Sequence, residues 1–261
     1  LRLVLFTFLA ALQFMTTLPV SLRRPVDSED LARAGRYFPL VGLFLGTILA
    51  LLYSVLILFL PPNLVTLLLV ISLLALTGAL HFDGFLDSCD GLFGYHTTER
   101  RLEIMRDSRV GSFGVAGGIC LLALKYTGLS LVTPGLMPAA LILAPLVARW
   151  ALLCAVVIFP YGRVSGLGLI YKRYTHPPEL VLASIFVIII VLAFLGWPGL
   201  GLVAFIFGLT MLVGRWIMGK LPAGLTGDSY GAIAEITETA TWLFIGAGAG
   251  WITGFSFFIK Y

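Results

Sequence analysis

The chain has 261 residues, 59% of them hydrophobic and 11% charged, with a mean hydropathy of +1.03. A soluble domain is nearer half apolar and about a quarter charged, so there is too little polar surface here to cover a water-soluble globule. The formal charge is +4, from 17 Lys+Arg against 13 Asp+Glu, a modest excess from which no nucleic-acid partner follows.

Residues 1–18 are apolar but short, with Arg2 at the start and Gln13 within. They resemble a signal sequence in apolarity yet lack an A-x-A-like cleavage site. They are expected to remain in the mature chain as a short helix that lies along the interface or dips into the bilayer. Runs free of Asp, Glu, Lys and Arg follow at 38–60 and 64–82. Residues 111–128 and 138–160 hold one charge each, Lys125 and Arg149. The run 180–214 is long enough for two spans and is broken at Gly196-Trp197-Pro198-Gly199, and 239–259 closes the series. Each span takes roughly 20 apolar residues, which predicts seven. Runs this long do not alternate as barrel strands do. The expected fold is therefore all-α, a polytopic transmembrane helix bundle with about seven spans plus a short N-terminal helix, forming one integral membrane domain over 1–261.

The connections alternate in charge. Residues 61–63, 129–137 and 196–199 carry none. Arg23, Arg24, Arg33 and Arg36 lie in 20–37, Arg100, Arg101, Arg106 and Arg109 in 95–110, and Arg163, Lys172 and Arg173 in 161–179. Arg215 and Lys220 precede the last span. The positive-inside rule predicts that these charged loops are cytoplasmic and the uncharged turns outside, with Tyr261 outside. Cys89, Cys120 and Cys154 form no C-x-x-C pair and are read as reduced.

The most informative stretch is His81-Phe82-Asp83-Gly84-Phe85-Leu86-Asp87-Ser88-Cys89-Asp90-Gly91. Asp83 and Asp87 are i,i+4 and Asp87 and Asp90 are i,i+3, so all three point one way on a helix. Such a stripe repels itself unless a cation bridges it, and carboxylate oxygen is what Mg²⁺ or Mn²⁺ prefers. Gly94 extends the stripe, and Gly84 and Gly91 leave room for a bulky ligand. A span running inward from residue 64 would reach the cytoplasmic interface near Asp83. Asp83, Asp87 and Asp90 are thus candidate metal ligands; the bland alternative is a polar helix end solvated by water.

Two further polar elements follow. Glu103 and Asp107 are i,i+4 among Arg100, Arg101, Arg106 and Arg109. That mixture suits a phosphate held by arginine beside a metal held by aspartate; the alternative is a salt-bridged loop. Gly111, Gly114, Gly117 and Gly118 then open the next span and permit close approach. The third element is Gly224-Leu225-Thr226-Gly227-Asp228, followed by Glu235 and Glu238. Asp228 and Glu235 share a helical face, and the start of the helix can bind an anion; equally, Asp228 could be an N-cap. All three elements are expected on one membrane face. Arg149, mid-span, is a functional candidate by default or else a snorkelling or paired arginine. Lys125 is expected to snorkel near the outer end, and His81 to pack away from the stripe.

H-F-D-G-F-L-D-S-C-D-G from His81, followed by R-R-L-E-I-M-R-D-S-R-V-G-S-F-G from Arg100, resembles the signature of the cobalamin synthases. F-M-T-T-L-P-V at 14–20, F-P-L-V-G at 38–42 and G-L-T-G-D-S-Y-G-A at 224–232 extend the likeness over essentially the whole chain. The resemblance implies an adenosylcobinamide-GDP ribazoletransferase of the prokaryotic cytoplasmic membrane that uses Mg²⁺. A hydroxyl of α-ribazole or its 5′-phosphate attacks the β-phosphorus of adenosylcobinamide-GDP. GMP leaves, and adenosylcobalamin or its 5′-phosphate forms. In that scheme Asp83, Asp87 and Asp90 hold the metal, and Asp107 is a fourth ligand or the base. Arg106 and Arg109 clamp phosphate, and Asp228 and Glu235 complete the site. Asp87-Ser88-Cys89-Asp90-Gly91 also matches the start of the CDP-alcohol phosphotransferase pattern, but no Ala-Arg follows and Gly111 stands where a later aspartate is expected. An ion-coupled transporter is a third possibility, although its carboxylates belong near the bilayer midplane.

Overall fold

The computed structural model describes residues 2–22, 24–27, 30, 33–250 and 252. Leu1, Arg23, Tyr261 and nearly all of the expected last span beyond residue 250 lie outside the described residues. In chain order the helices are α1 (Arg2–Met15), α2 (Phe38–Leu56, entered through a 3₁₀ turn at Gly35–Tyr37), α3 (Pro62–Thr77) and α4 (Leu80–Leu92). Then come α5 (Thr98–Ile104), α6 (Ser112–Ser130), α7 (Met137–Ile158), α8 (Leu167–Tyr174), α9 (Pro177–Leu195), α10 (Pro198–Met218) and α11 (Gly227–Ala247). Proline sits in the first turn of α2, α3, α7, α9 and α10, where its missing N–H would have had no helical partner anyway.

The bundle is built round α7, which is apolar but for Arg149 and buried almost throughout, the pattern of an interior helix. Helices α2, α9, α10 and α11 pack on it. The α2 contact is the closest. Gly42 and Gly46 form a G-x-x-x-G pair, and a Cβ at Gly46 would lie 2.6 Å from Ile142 Cα and 2.7 Å from Leu141 O. Small residues at this spacing let two helix backbones touch, which is how helices associate where lipid offers no hydrophobic driving force. Five helices, counting the turn at 35–37 with α2, are long and apolar enough to cross a membrane, and six if α3 and α4 count as one bent span. The chain is a multi-pass helical membrane protein.

Three local expectations are corrected. The run 64–82 is not one helix. Gly78 (φ 59°) and Ala79 (φ 54°) are both left-handed, and α4 leaves α3 at 91°. The Gly78 N–H donates to Ala75 O and the Ala79 N–H to Leu74 O, the paired bonds of a Schellman stop. The same Ala75 carbonyl and one more, that of Leu76, are also taken from afar. Thr17 Oγ1 donates to Ala75 O at 2.9 Å, and the Thr17 N–H donates to Leu76 O at 2.8 Å. So the F-M-T-T-L-P-V segment braces the bend, and a left-handed alanine, which strains an L-residue by about 1–2 kcal/mol, is held in place. The second correction concerns the last span, which is not separate from the helix expected at Asp228: one helix from Gly227 contains Asp228, Glu235 and Glu238 and runs on past Thr239. The charge-free run began late only because those acids interrupt it. The third is Lys125, which does not snorkel. It is 1% exposed, 2.8 Å from Glu235 and paired also with Glu238.

Candidate active site

Carboxylate helix α4 meets the start of α11 at two glycines. A Cβ on Gly84 would stand 3.0 Å from Asp228 Cα, and one on Gly231 would stand 3.0 Å from His81 O. With hydrogen at both positions the two backbones touch, and this carries Asp228 to the side of the α4 stripe. Asp87, half-buried, stands among the charges of Asp83, Asp90 and Asp228, with Arg163 as the opposing cation. Among the described residues neither Asp83 nor Asp87 makes a side-chain hydrogen bond or ion pair. Nor do any three His, Cys, Asp or Glu side chains already close round a common point.

Asp90 is differently occupied. Its Oδ2 accepts from the Gly111 N–H at 2.7 Å and its Oδ1 from the Gly114 N–H at 2.8 Å. It therefore satisfies the free N–H groups at the start of α6, where the helix dipole favours an anion. Glycine is needed at both positions because a Cβ would collide with this carboxylate.

Asp228 is not the N-cap of α11. Thr226 is, its Oγ1 accepting from the Ser229 N–H at 3.2 Å. The Asp228 Oδ2 instead accepts from Arg163 Nη2 at 2.8 Å. The same Nη2 donates to Met105 O at 3.4 Å. Arg163 thus ties together the loop after α5, its own loop after α7, and the head of α11. The last two are also joined backbone to backbone, with the Gly162 N–H donating to Leu225 O at 2.7 Å and the Leu225 N–H to Pro160 O at 2.9 Å. The three polar elements do converge on one end of the bundle, and the residue that joins them was read from sequence only as a loop charge. Nothing local distinguishes Arg163 from Lys172 or Arg173; its partner is 65 residues away.

The other named residues divide. Asp107 is half-buried and faces Arg109, accepting from its backbone N–H and guanidinium at 3.0, 3.0 and 2.7 Å. Those hydrogen bonds, first from the side chain and then from the backbone, hold the Asp107 carboxyl down at about 2. Asp107 and Arg109 share a solvent-facing recess with Asp90, His96, Arg100 and Glu103. Arg106 is exposed. Glu103 pairs with Arg100 at 2.9 Å on the surface. Arg101 is buried and donates to the Gly91, Leu92 and Gly94 carbonyls, capping the end of α4.

Glu235 lines neither this recess nor the neighbouring cavity. It belongs to a buried tetrad in the bundle, where Lys125 pairs with Glu235 and Glu238, and Arg149 pairs with Glu238. Two anions and two cations cancel, which makes four charges tolerable among apolar helices. Glu238→Ala leaves both cations short of a partner and is expected to destabilise the protein on the scale of about 3–5 kcal/mol. An unchanged unfolding midpoint in detergent would contradict this.

Beside the stripe lies a cavity of about 300 Å³ bounded by α1, α2, α4, α7, α8 and α11. Asp83, Asp228 and Arg163 are on its wall, as are His81, Tyr161, Tyr171 and Tyr230.

A multi-pass helical membrane protein with acids and arginines gathered at one end, beside a cavity, is the class that fold and site define. Comparison with known proteins narrows it. The profile of the family described as cobalamin-5-phosphate synthase matches residues 7–246. The adenosylcobinamide-GDP ribazoletransferase of Desulfitobacterium hafniense (strain Y51) is 37% identical over 234 residues, covering 87% of this chain and 91% of its own. The protein of the same name from Stutzerimonas stutzeri (strain A1501) is 40% identical over 233 residues, covering 89% and 94%. That from Deinococcus radiodurans is 38% identical over 239 residues, covering 91% and 84%. No solved structure matches. The chain belongs to the cobalamin-5-phosphate synthase family, which decides against the CDP-alcohol phosphotransferase and transporter readings.

Proposed function

We propose that this protein is an adenosylcobinamide-GDP ribazoletransferase working at the cytoplasmic membrane of a prokaryote. A ribose hydroxyl of α-ribazole or its 5′-phosphate forms a bond to the β-phosphorus of adenosylcobinamide-GDP. The bridging P–O bond breaks, GMP departs with the electron pair, and the hydroxyl proton passes to a base. The observation that carries this reading is the gathering of Asp83, Asp87 and Asp228 beside Arg163, in a chain whose relatives bear that enzyme's name.

The donor set fits Mg²⁺. Asp83 and Asp87 are uncommitted carboxylates one helical turn apart, and Arg163 alone does not balance the stripe. Two carboxylates suit this ion, which is usually held by one or two of them with water and substrate phosphate making up the rest. When bound, Mg²⁺ would neutralise charge on the pyrophosphate oxygens as GMP leaves. Asp90, held by two backbone N–H groups, orients the stripe. Arg109 meets the diphosphate from the open recess, and Arg106, exposed on the same loop, is the second clamp. Asp107 is a poor base, because a carboxyl that ionises near 2 has little affinity for a proton at neutral pH. Asp228 is the better-placed acceptor, with Arg163 fixing its orientation. Glu235 acts at a distance, through the tetrad.

Purified protein given adenosylcobinamide-GDP and α-ribazole is expected to release GMP, to stop with a chelator and to resume with Mg²⁺. Absence of GMP under all these conditions would sink the reading. The cytoplasmic placing of the site rests on loop charge. A cysteine at Asn63 should react with an impermeant thiol reagent from outside, and one at His96 should not; reversed labelling would invert the orientation.

A further inference from the structure

The α4 stripe lies between two hollows of opposite character. One is the open recess around Asp90, Arg100, Asp107 and Arg109. The other is the cavity of about 300 Å³, which reaches Asp83 and Asp228 at one side and is otherwise walled by aromatic and aliphatic groups such as Phe14, Phe38, Leu152 and Val156. The rings of Phe14, Phe38 and Tyr171 form one cluster there, with centroids 4.9–6.5 Å apart. Tyr161 and Tyr230 form a second stack at 6.1 Å.

Four cavity residues carry a buried polar atom with no hydrogen-bond partner among the described residues: Arg163 Nε and, on more deeply buried side chains, Tyr171 Oη, Tyr230 Oη and His81 Nδ1. Tyr171, Tyr230 and His81 are 4%, 4% and 5% exposed. Buried polar groups are normally paired. Four unpaired around one hollow point to a ligand that supplies the missing partners.

We propose that the cavity seats the acceptor: a nucleoside with a flat, apolar bicyclic base, its ribose turned toward Asp83, Asp228 and Arg163. This rests on the transferase reading given above. Two nucleosides enter that reaction, and the walls choose between them. Guanine carries donors and acceptors around its edge, which would lose water against Phe14, Phe38, Leu152 and Val156. The alkylated benzimidazole of α-ribazole presents only carbon on its outer edge, and its ribose hydroxyls can meet the tyrosines and histidine. A corrinoid is far too large for the space. The donor therefore lies over the arginine recess, its diphosphate on the stripe and its corrinoid outside. Acceptor and leaving group then stand on opposite sides of the reacting phosphorus, as an in-line displacement requires.

The test is steady-state GMP release by the full chain in detergent, with each substrate varied in turn. Tyr171→Phe keeps the ring and removes one hydroxyl. It should raise KM for α-ribazole about tenfold, the scale of one hydrogen bond, and leave KM for adenosylcobinamide-GDP within about twofold. Leu152→Trp fills the cavity and should do the same more strongly; if it fails to fold, Tyr171→Phe still decides. A rise in the KM for adenosylcobinamide-GDP instead would give the cavity to guanosine and overturn the proposal, as would two unmoved KM values. Normal GMP release by the wild type with unmoved KM values in the variants sinks the acceptor seat alone. No GMP from the wild type sinks the transferase reading and this proposal with it.

Discussion

Asp87→Asn is expected to lower turnover by at least about a thousandfold while the protein folds as before. Asp87 sits at the middle of the stripe, with Asp83 one turn before it and Asp90 one turn after, and Asp228 facing them from α11. It makes no hydrogen bond or ion pair with any other described residue, so its removal breaks no contact. Asparagine has nearly the same volume, so packing at half-buried position 87 is kept. What goes is one negative charge among the carboxylates where a divalent cation would bind. The measurement is GMP release at saturating Mg²⁺, alongside an unfolding midpoint. Near-full activity with an unchanged midpoint would make the stripe a solvated polar helix face.

Asp228→Ser is expected to cost at least about a hundredfold in turnover, the scale for losing one electrostatic group at a reacting centre. The head of α11 keeps its cap in this variant, because Thr226 and not Asp228 accepts from the Ser229 N–H. Loss of a cap, worth about 1 kcal/mol, is therefore not in question. The ion pair to Arg163 is lost, and the guanidinium retains Met105 O as an acceptor. A folded variant with wild-type turnover would remove Asp228 from the site and leave Arg163 a clasp between loops. A collapse of the unfolding midpoint with unchanged turnover per folded molecule would say the same.

What was legible in the sequence was periodic. The i,i+4 and i,i+3 spacing of Asp83, Asp87 and Asp90 survives in a single helix, and charge-poor runs marked most of the bundle. The convergence of three loops followed from alternation of charged and uncharged connections. What escaped was pairing over distance. Gly78 looked like one more small residue inside an apolar run. The bend there depends on Thr17, 59 residues from the Leu76 carbonyl to which it donates, and on a left-handed alanine that no turn motif announces. Lys125 and Arg149 each appeared as a lone charge in a span, since their glutamates come 113 and 89 residues later. Glu235 and Asp228 share a helical face, as periodicity requires, but Glu235 faces Lys125 instead of the stripe. A shared face does not fix a shared neighbour.

The order in which the tetrad's members are synthesised has a bearing on biogenesis. The ribosome delivers Lys125 and Arg149 first, and both anions arrive only with α11, the last helix of the described chain. Until then two cations sit in spans that on insertion scales lose about 2.5–3.5 kcal/mol for each central charge. Neutrality inside the bilayer is reached only when α11 docks, and the same docking lays Gly231 against His81 and brings Asp228 to Asp87. A nascent chain cut short before α11 therefore has its aspartate stripe but neither a neutral interior nor Asp228 beside Asp87. Maturation of the membrane fold and assembly of the proposed site are one event.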